Sequence, residues 1–173
     1  MTSLLNLDML QERLTALENE KRVSACMHRY MYLCDQLGPG FEMESLMQLF
    51  TEDAVWEGKG SRYANTFGRH VGINAIEAMF AKYTKGEGHF LLNVHVLGNE
   101  VISVDGNEAK GSWMLLQPSD FIDGRSQLSC AHITAKFRLS GRFCQISHFV
   151  TENKFSRPIN QRWDNQAQLP VPK

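Results

Sequence analysis

The sequence lacks a long apolar run and lacks an excess of charge of either sign. No hydrophobic stretch approaches the roughly 18 residues that a membrane-spanning helix needs. With 18 basic and 19 acidic side chains, the net charge is −1, so there is no electrostatic footprint for nucleic acid. We therefore expect neither a membrane nor a nucleic acid as a partner.

Motifs for secretion, metals and phosphates are missing as well. The N-terminal segment MTSLLNLDMLQERL has no basic stretch followed by an apolar core, so no secretory signal is expected. The four cysteines (Cys26, Cys34, Cys130 and Cys144) form no C-x-x-C pair, which favours reduced, buried thiols and a cytoplasmic location. Histidines at metal-binding spacings, a glycine-rich phosphate loop and a nucleophile elbow are also missing. We expect no bound metal and no cofactor.

The first half of the chain carries helical periodicity. A length of 173 residues with 43% hydrophobic residues predicts one domain that is able to bury a core or wall a cavity. Leucines recur at spacings of three and four at the start of the chain, which predicts a first helix from about Leu7 to Gln36; they are Leu7, Leu10, Leu14 and Leu17. Two shorter helices are predicted over 42–50 and 73–83, with a strand at 54–58 between them.

The second half reads as antiparallel strands. Asp105-Gly106 is a strong hairpin signal, and Asp123-Gly124 and Ser140-Gly141 mark two further turns. Helices followed by a meandering sheet predict the α+β class, with the helices packed on one face of a strongly curved, mixed or antiparallel sheet that encloses a pocket. We expect a single domain over 1–173, with its core over about 10–155 and an irregular tail over 156–173.

Three motifs stand out against this background. The segment RYMYLCDQLG sets an acid, Asp35, after a mostly apolar run where the first helix is expected to end. This helix end reads R-Y-x-x-x-x-D, over residues 29–35. The next motif is L-x-x-L-F-x-x-D-A-x-W, over residues 46–56. The last is H-x-x-x-N-x-x-I-x-V-D-G-x-x-A, over residues 95–109.

In these motifs and in the order of its elements, the sequence resembles the SnoaL-like group of the nuclear transport factor 2-like superfamily. That group includes scytalone dehydratase and hexachlorocyclohexane dehydrochlorinase, and the resemblance implies its cone-shaped α+β fold. By matching position, it also implies a catalytic dyad of Asp35 and His95 inside the cone. Two departures leave the reaction open. The link after Asp35 is longer than is typical, and the last strand lacks the usual W-x-I-x-x-R pattern.

The chemistry of the two residue types fits a dyad. A neutral imidazole is a usable general base near pH 7, and a neighbouring carboxylate fixes its tautomer and stabilises the imidazolium. Tyr30 is expected either to polarise a substrate oxygen or to tie its hydroxyl to the backbone. A bulge at Gly98-Asn99 would bring His95 onto the same face of its strand as Ile102 and Val104.

The remaining wall of the pocket is expected to be mainly apolar. His148 is included because it shares strand parity with Cys144, Ile146 and Val150. The predicted substrate-binding residues are Tyr32, Phe50, Trp56, Trp113, Leu115 and His148.

Two functions are compatible with these features. The first is a cofactor-free lyase or isomerase of the dehydratase type that acts on a hydrophobic, ring-containing small molecule. The alternative is a non-catalytic ligand-binding or docking module, such as a small subunit of a ring-hydroxylating dioxygenase. A hydrogen bond between His95 and Asp35 at an enclosed pocket would favour the enzyme. We also expect a homodimer or higher homo-oligomer that associates through the outer sheet face, because the strand at 126–140 has apolar residues on both parities.

Overall fold

The structure is a computed structural model that describes residues 7–164. The helices of this part are α1 (Leu7–Asp35), α2 (Met43–Met47), α3 (Gly60–Thr66), α4 (Ile73–Phe80) and a 3-10 turn at Ala81–Tyr83. The strands are β1 (Phe50–Lys59), β2 (Arg69–Val71), β3 (Phe90–Asn93), β4 (Val96–Asp105), β5 (Glu108–Phe121), β6 (Ser126–Ser140) and β7 (Phe143–Ile159). Apart from α3 and β2, which were not predicted, the order is the predicted one: two helices, a strand, a further helix and then a meander.

One mixed sheet forms the frame of the molecule. Its strand order is β2-β1-β7-β6-β5-β3, and β4 also pairs with β5. β1 runs parallel to β7, whereas the other neighbours are antiparallel. β5 pairs with β6 along its length, and its other edge carries β4 on the N-terminal half and β3 on the C-terminal half. The helices cover one face, so the chain has the predicted cone-shaped α+β fold.

Helix α1 is buried only in its second half. The residues from 7 to 18 are all exposed, and Asn19 is the first that is buried. Leu7 is 80% exposed and Leu14 is 50% exposed, so the leucine spacing predicted the helix but not a buried face. Val23 and Met27 are completely buried, and this half of α1 contacts β4 and β7. None of the helices over 7–164 is long and apolar enough to cross a membrane.

Other boundaries differ in detail from the predictions. The segment after the first strand was expected to be a loop because it contains several glycines. It instead contains α3 and β2. The hairpin at Asp105-Gly106 is present, with Gly106 at φ 56°. β7 continues to Ile159, so residues 156–159 of the expected tail are strand. Residues 165–173 of that tail lie outside the described part.

Two irregularities in the sheet decide which side chains face the helices. In β4 the register shifts between Gly98 and Val101, and Asn99 has φ 52°. The extra residue lets Leu97 and Ile102 both pack against the core although their sequence parity differs. Between β6 and β7, Lys136 pairs with His148 whereas Phe137 pairs with Ile146. Ser147, which lies between Ile146 and His148, is thereby left without a partner on β6.

Candidate active site

Asp35 and His95 lie side by side, although they come from different elements. Asp35 is the last residue of α1, and His95 lies in the short link between β3 and β4. The Nδ1 atom of His95 is 2.6 Å from Oδ1 of Asp35. The backbone N–H of His95 donates to the same oxygen at 2.9 Å. The side chain of His95 is only 12% exposed and that of Asp35 is 22% exposed, so the pair is largely removed from water.

This geometry indicates which ring nitrogen of His95 carries the proton in the neutral imidazole. Asp35 is an acceptor when ionised, so Nδ1 of His95 carries the proton that is donated to it. In the neutral imidazole the other ring nitrogen, Nε2, is then unprotonated and able to accept a proton. Because His95 also lines the interior cavity, this arrangement can perform general-base chemistry on a bound molecule.

Tyr30 lines the same cavity and lies five residues before Asp35 on α1. Its hydroxyl accepts a hydrogen bond from the indole Nε1 of Trp56 at 2.9 Å, so it is tied to a side chain. Burial raises the pKa of Tyr30 well above its usual value, and the neighbouring Cys34 raises it further. The phenol therefore stays neutral and keeps a proton that it can donate.

The interior cavity has a volume of about 110 Å³. Its wall is mostly apolar and rich in aromatic side chains. The ring of Trp56 stacks on Phe149 with centroids 5.6 Å apart and planes 16° apart. Leu115 contributes to the wall, and its role in substrate binding stays a prediction. Such a lining accepts flat apolar molecules, while the few polar groups fix their orientation.

A small polar ladder lies among these apolar groups. Oδ1 of Asn93 accepts hydrogen bonds from Nε2 of Gln117 and from the hydroxyl of Ser119, both at 2.8 Å. Asn93 and Ser119 are buried, and Asn93 and Gln117 line the cavity. Sequence analysis missed this ladder, although Asn93 lies two residues before His95 and therefore on the same side of an extended chain.

Two residues predicted to line the pocket are instead buried behind it. Phe50 packs edge-on against Tyr30 with centroids 5.7 Å apart, and it does not reach the cavity. Trp113 is 1% exposed, and its indole donates to Oε2 of Glu100 at 2.8 Å. It does not reach the cavity either, so both aromatic residues belong to the core.

Tyr32 and His148 lie away from the cavity, and their predicted placement was wrong. Tyr32 is 54% exposed and packs under the guanidinium of Arg29. His148 was assigned by strand parity, but the skipped residue Ser147 reverses that parity. The inward residue is consequently Phe149, which is 2% exposed.

His148 belongs to a charged group on the outer face of the sheet. Its Nε2 lies 2.7 Å from Oε1 of Glu57, and Lys59 and Arg69 lie within 3.5 Å of the same carboxylate. Burial raises the pKa of Glu57, but the bonds to His148 and Lys59 outweigh it and hold the pKa below its usual value. These partners make the group an ion-pair network of the sheet surface. Over residues 7–164, no three His, Cys, Asp or Glu side chains converge to hold a metal ion.

The fold and the buried His–Asp pair together define a cone-shaped α+β domain with an internal ligand cavity. The model of the SnoaL-like domain matches residues 15–139, so the chain belongs to the SnoaL-like domain family. Comparison with curated proteins gives no significant match.

Solved structures share this fold at low sequence identity. A hexachlorocyclohexane dehydrochlorinase from Novosphingobium barchaimii has a TM-score of 0.70 and 14% identity, covering 92% of this chain and 99% of that one. A provisionally named scytalone dehydratase from Novosphingobium aromaticivorans has a TM-score of 0.69 and 16% identity, covering 84% and 91%. An NTF2-like protein with a cystatin-like fold from the same organism has a TM-score of 0.65 and 20% identity, covering 88% and 92%. At these identities the likeness establishes the fold alone.

Proposed function

We propose that this protein is a cofactor-free lyase or isomerase of the dehydratase type, acting on a hydrophobic, ring-containing small molecule. The observation that carries the proposal is the hydrogen bond between His95 and Asp35 at the edge of the largely apolar interior cavity. A docking module has no need of a base beside such a cavity. The fold is also that of a dehydrochlorinase and of a provisionally named dehydratase, which supports elimination or isomerisation chemistry.

The proposed reaction begins with proton removal. Nε2 of His95 takes a proton from the carbon next to a carbonyl or similar electron-withdrawing group, and the electrons of the C–H bond form an enolate. Asp35 stabilises the resulting imidazolium through Nδ1. Tyr30 donates its phenolic proton in a hydrogen bond to the substrate oxygen that becomes negative.

Elimination completes the proposed reaction. The enolate electrons re-form the carbonyl and create a C=C bond as the C–O bond at the β carbon breaks. The imidazolium of His95 returns its proton to the departing hydroxyl, which leaves as water. If the proton returns to a different carbon instead, the same base carries out an isomerisation. Neither route requires a metal or an electron carrier.

Hydrogen exchange tests the first step before the true substrate is identified. Bicyclic β-hydroxy ketones are incubated with the protein in D₂O, and NMR follows deuterium entry at the α carbon and loss of water. His95→Ala should lower the exchange rate by about 10²–10⁴-fold and leave the melting temperature within a few degrees. Wild-type exchange equal to that of His95→Ala on every ketone would contradict the proposal.

For association, we propose a homodimer formed through the outer sheet face. Three apolar side chains stand out from that face between the charged groups: Val101 is 65% exposed, Val96 53% and Leu116 45%. Val96 and Leu116 are direct cross-strand partners, so they form one continuous patch. Sedimentation at micromolar concentration should give a dimer, and a monomer there would contradict this proposal.

A further inference from the structure

The interior cavity is adjacent to a second, larger chamber. This outer chamber, which we call the vestibule, has a volume of about 520 Å³. The residues that line both spaces are Tyr63, Phe67, Met79, Tyr83, Phe90 and Gln117. The two spaces therefore share one part of their walls. A substituent that extends past these side chains from a ring held beside His95 enters the vestibule.

Two cationic side chains line the vestibule. Arg62 on α3 and Lys82 on the 3-10 turn both line it, and both are exposed. Within residues 7–164 neither of them has an ion-pair partner, and none of the described lining residues is acidic. Because the whole chain has a net charge of −1, this is a local arrangement and not a consequence of a basic protein.

The part of the vestibule wall that β5, β6 and β7 contribute is neutral and rich in hydrogen-bonding groups. The hydroxyls of Ser129 and Ser156 lie 3.1 Å apart, and Nε2 of Gln127 donates to Ser129 at 2.6 Å. Ser119 and Gln117, which belong to the polar ladder, join this wall. The vestibule thus differs in chemistry from the interior cavity, although the two are adjacent.

We propose that the vestibule binds an anionic arm of the substrate, with Arg62 and Lys82 as the residues that select it. The ring of the substrate occupies the aromatic cavity, and a carboxylate or phosphate group on a short arm reaches the two cations. A guanidinium binds either group bidentately, and an ammonium serves as a point charge. This inference rests on the proposed function for the position of the ring, and it narrows the substrate class to acidic ring compounds.

Binding measurements with three matched probes test the inference. The probes are 2-naphthylacetate, 2-naphthyl phosphate and the neutral 2-naphthylacetamide, titrated calorimetrically at low salt. The wild type should bind at least one anion about tenfold more tightly than the amide, since two exposed charge pairs contribute that much. The preferred anion identifies the arm as carboxylate or phosphate.

Variants assign the preference to the vestibule. The double variant Arg62→Gln/Lys82→Gln should bind the anions no better than the amide, and its affinity for the amide should be unchanged. Arg13→Gln/Lys85→Gln removes the same two charge types from exposed positions outside both chambers and should keep the preference. Equal affinities in the wild type, a preference that survives in Arg62→Gln/Lys82→Gln, or no binding of any probe would overturn the proposal.

These experiments distinguish a failure of the lyase proposal from a failure of the vestibule proposal. His95→Ala should retain the anion preference while it loses exchange in D₂O. An anion preference without His95-dependent exchange would leave the vestibule proposal standing and contradict the lyase. Exchange that depends on His95, without an anion preference, would leave the lyase standing and overturn the vestibule proposal.

Discussion

One carboxylate oxygen of Asp35 accepts two hydrogen bonds from His95, at 2.9 Å from the backbone amide and at 2.6 Å from Nδ1. The same oxygen thus fixes both the chain and the ring of the histidine. An acid at the end of α1 is therefore stabilised by donors as it enters the core, and it orients the ring beside the cavity.

Asp35→Asn should separate orientation from charge. The amide oxygen is still able to accept from His95, so the fold should persist, but the imidazolium loses its counter-charge. The exchange rate should fall by about 10²-fold or more. Combined with His95→Ala, the loss should be close to that of His95→Ala alone, because the two residues act as one unit. A double variant whose losses multiply would indicate independent roles.

Tyr30→Phe should affect both rate and stability. Removal of the hydroxyl leaves the buried indole N–H of Trp56 without its acceptor, at a cost of about 1–3 kcal/mol in the free energy of unfolding. If the phenol stabilises the enolate, the exchange rate should fall by about 10²–10³-fold. Tyr83→Phe alters another tyrosine of the cavity wall and should lower the rate less than tenfold. Equal losses in the two variants would remove Tyr30 from the proposed mechanism.

Gly111→Ala should destabilise the sheet through Trp113. A Cβ atom at Gly111 would overlap the six-membered ring of Trp113, which is held in the core by its bond to Glu100. Overpacking of this kind costs about 1–3 kcal/mol in urea unfolding. Gly98→Ala is the matched control in the neighbouring strand, because a Cβ there meets nothing within 4 Å. The double variant Gly111→Ala/Trp113→Phe should regain part of the loss, and similar unfolding of both single glycine variants would contradict this explanation.

Asp120→Asn should change how stability depends on pH. Burial raises the pKa of this carboxyl, but the Ser126 hydroxyl at 2.5 Å and the backbone N–H groups of Asp164 and Trp163 outweigh it and lower the pKa below 3.8. A lowered folded-state pKa stabilises the fold above pH 4, and this contribution disappears as the pH falls through the folded-state value.

The wild type should therefore exceed Asp120→Asn in stability at pH 6, and the difference should shrink below pH 3.8. Urea unfolding at several pH values measures it. Glu42→Gln, which removes an exposed carboxylate just before α2, serves as the control. A stability difference between wild type and Asp120→Asn that is independent of pH would show that the carboxylate charge is not the cause.

The sequence predicted the fold and the proximity of Asp35 and His95 more successfully than the wall of the cavity. Local signals determine helix spacing, hairpin turns and the bulge at Gly98, since a glycine marks the point where the chain departs from strand geometry. The bulge at Ser147 has no such marker, so parity assigned His148 to the wrong face. Phe149 and Gln117 line the cavity, but they were not predicted from the sequence. Their positions depend on registers between distant strands, which no local pattern encodes.

The parallel pairing of β1 with β7 also governs the order in which the molecule assembles. Val55 pairs with His148, so more than half of the chain must be synthesised before these strands can meet. Contacts of such long range are slow to form, because the entropy of loop closure opposes them. Trp56 and Phe149 stack across this junction. On the ribosome, therefore, the aromatic wall closes only after the last strand has emerged, and no shorter nascent chain carries a finished cavity.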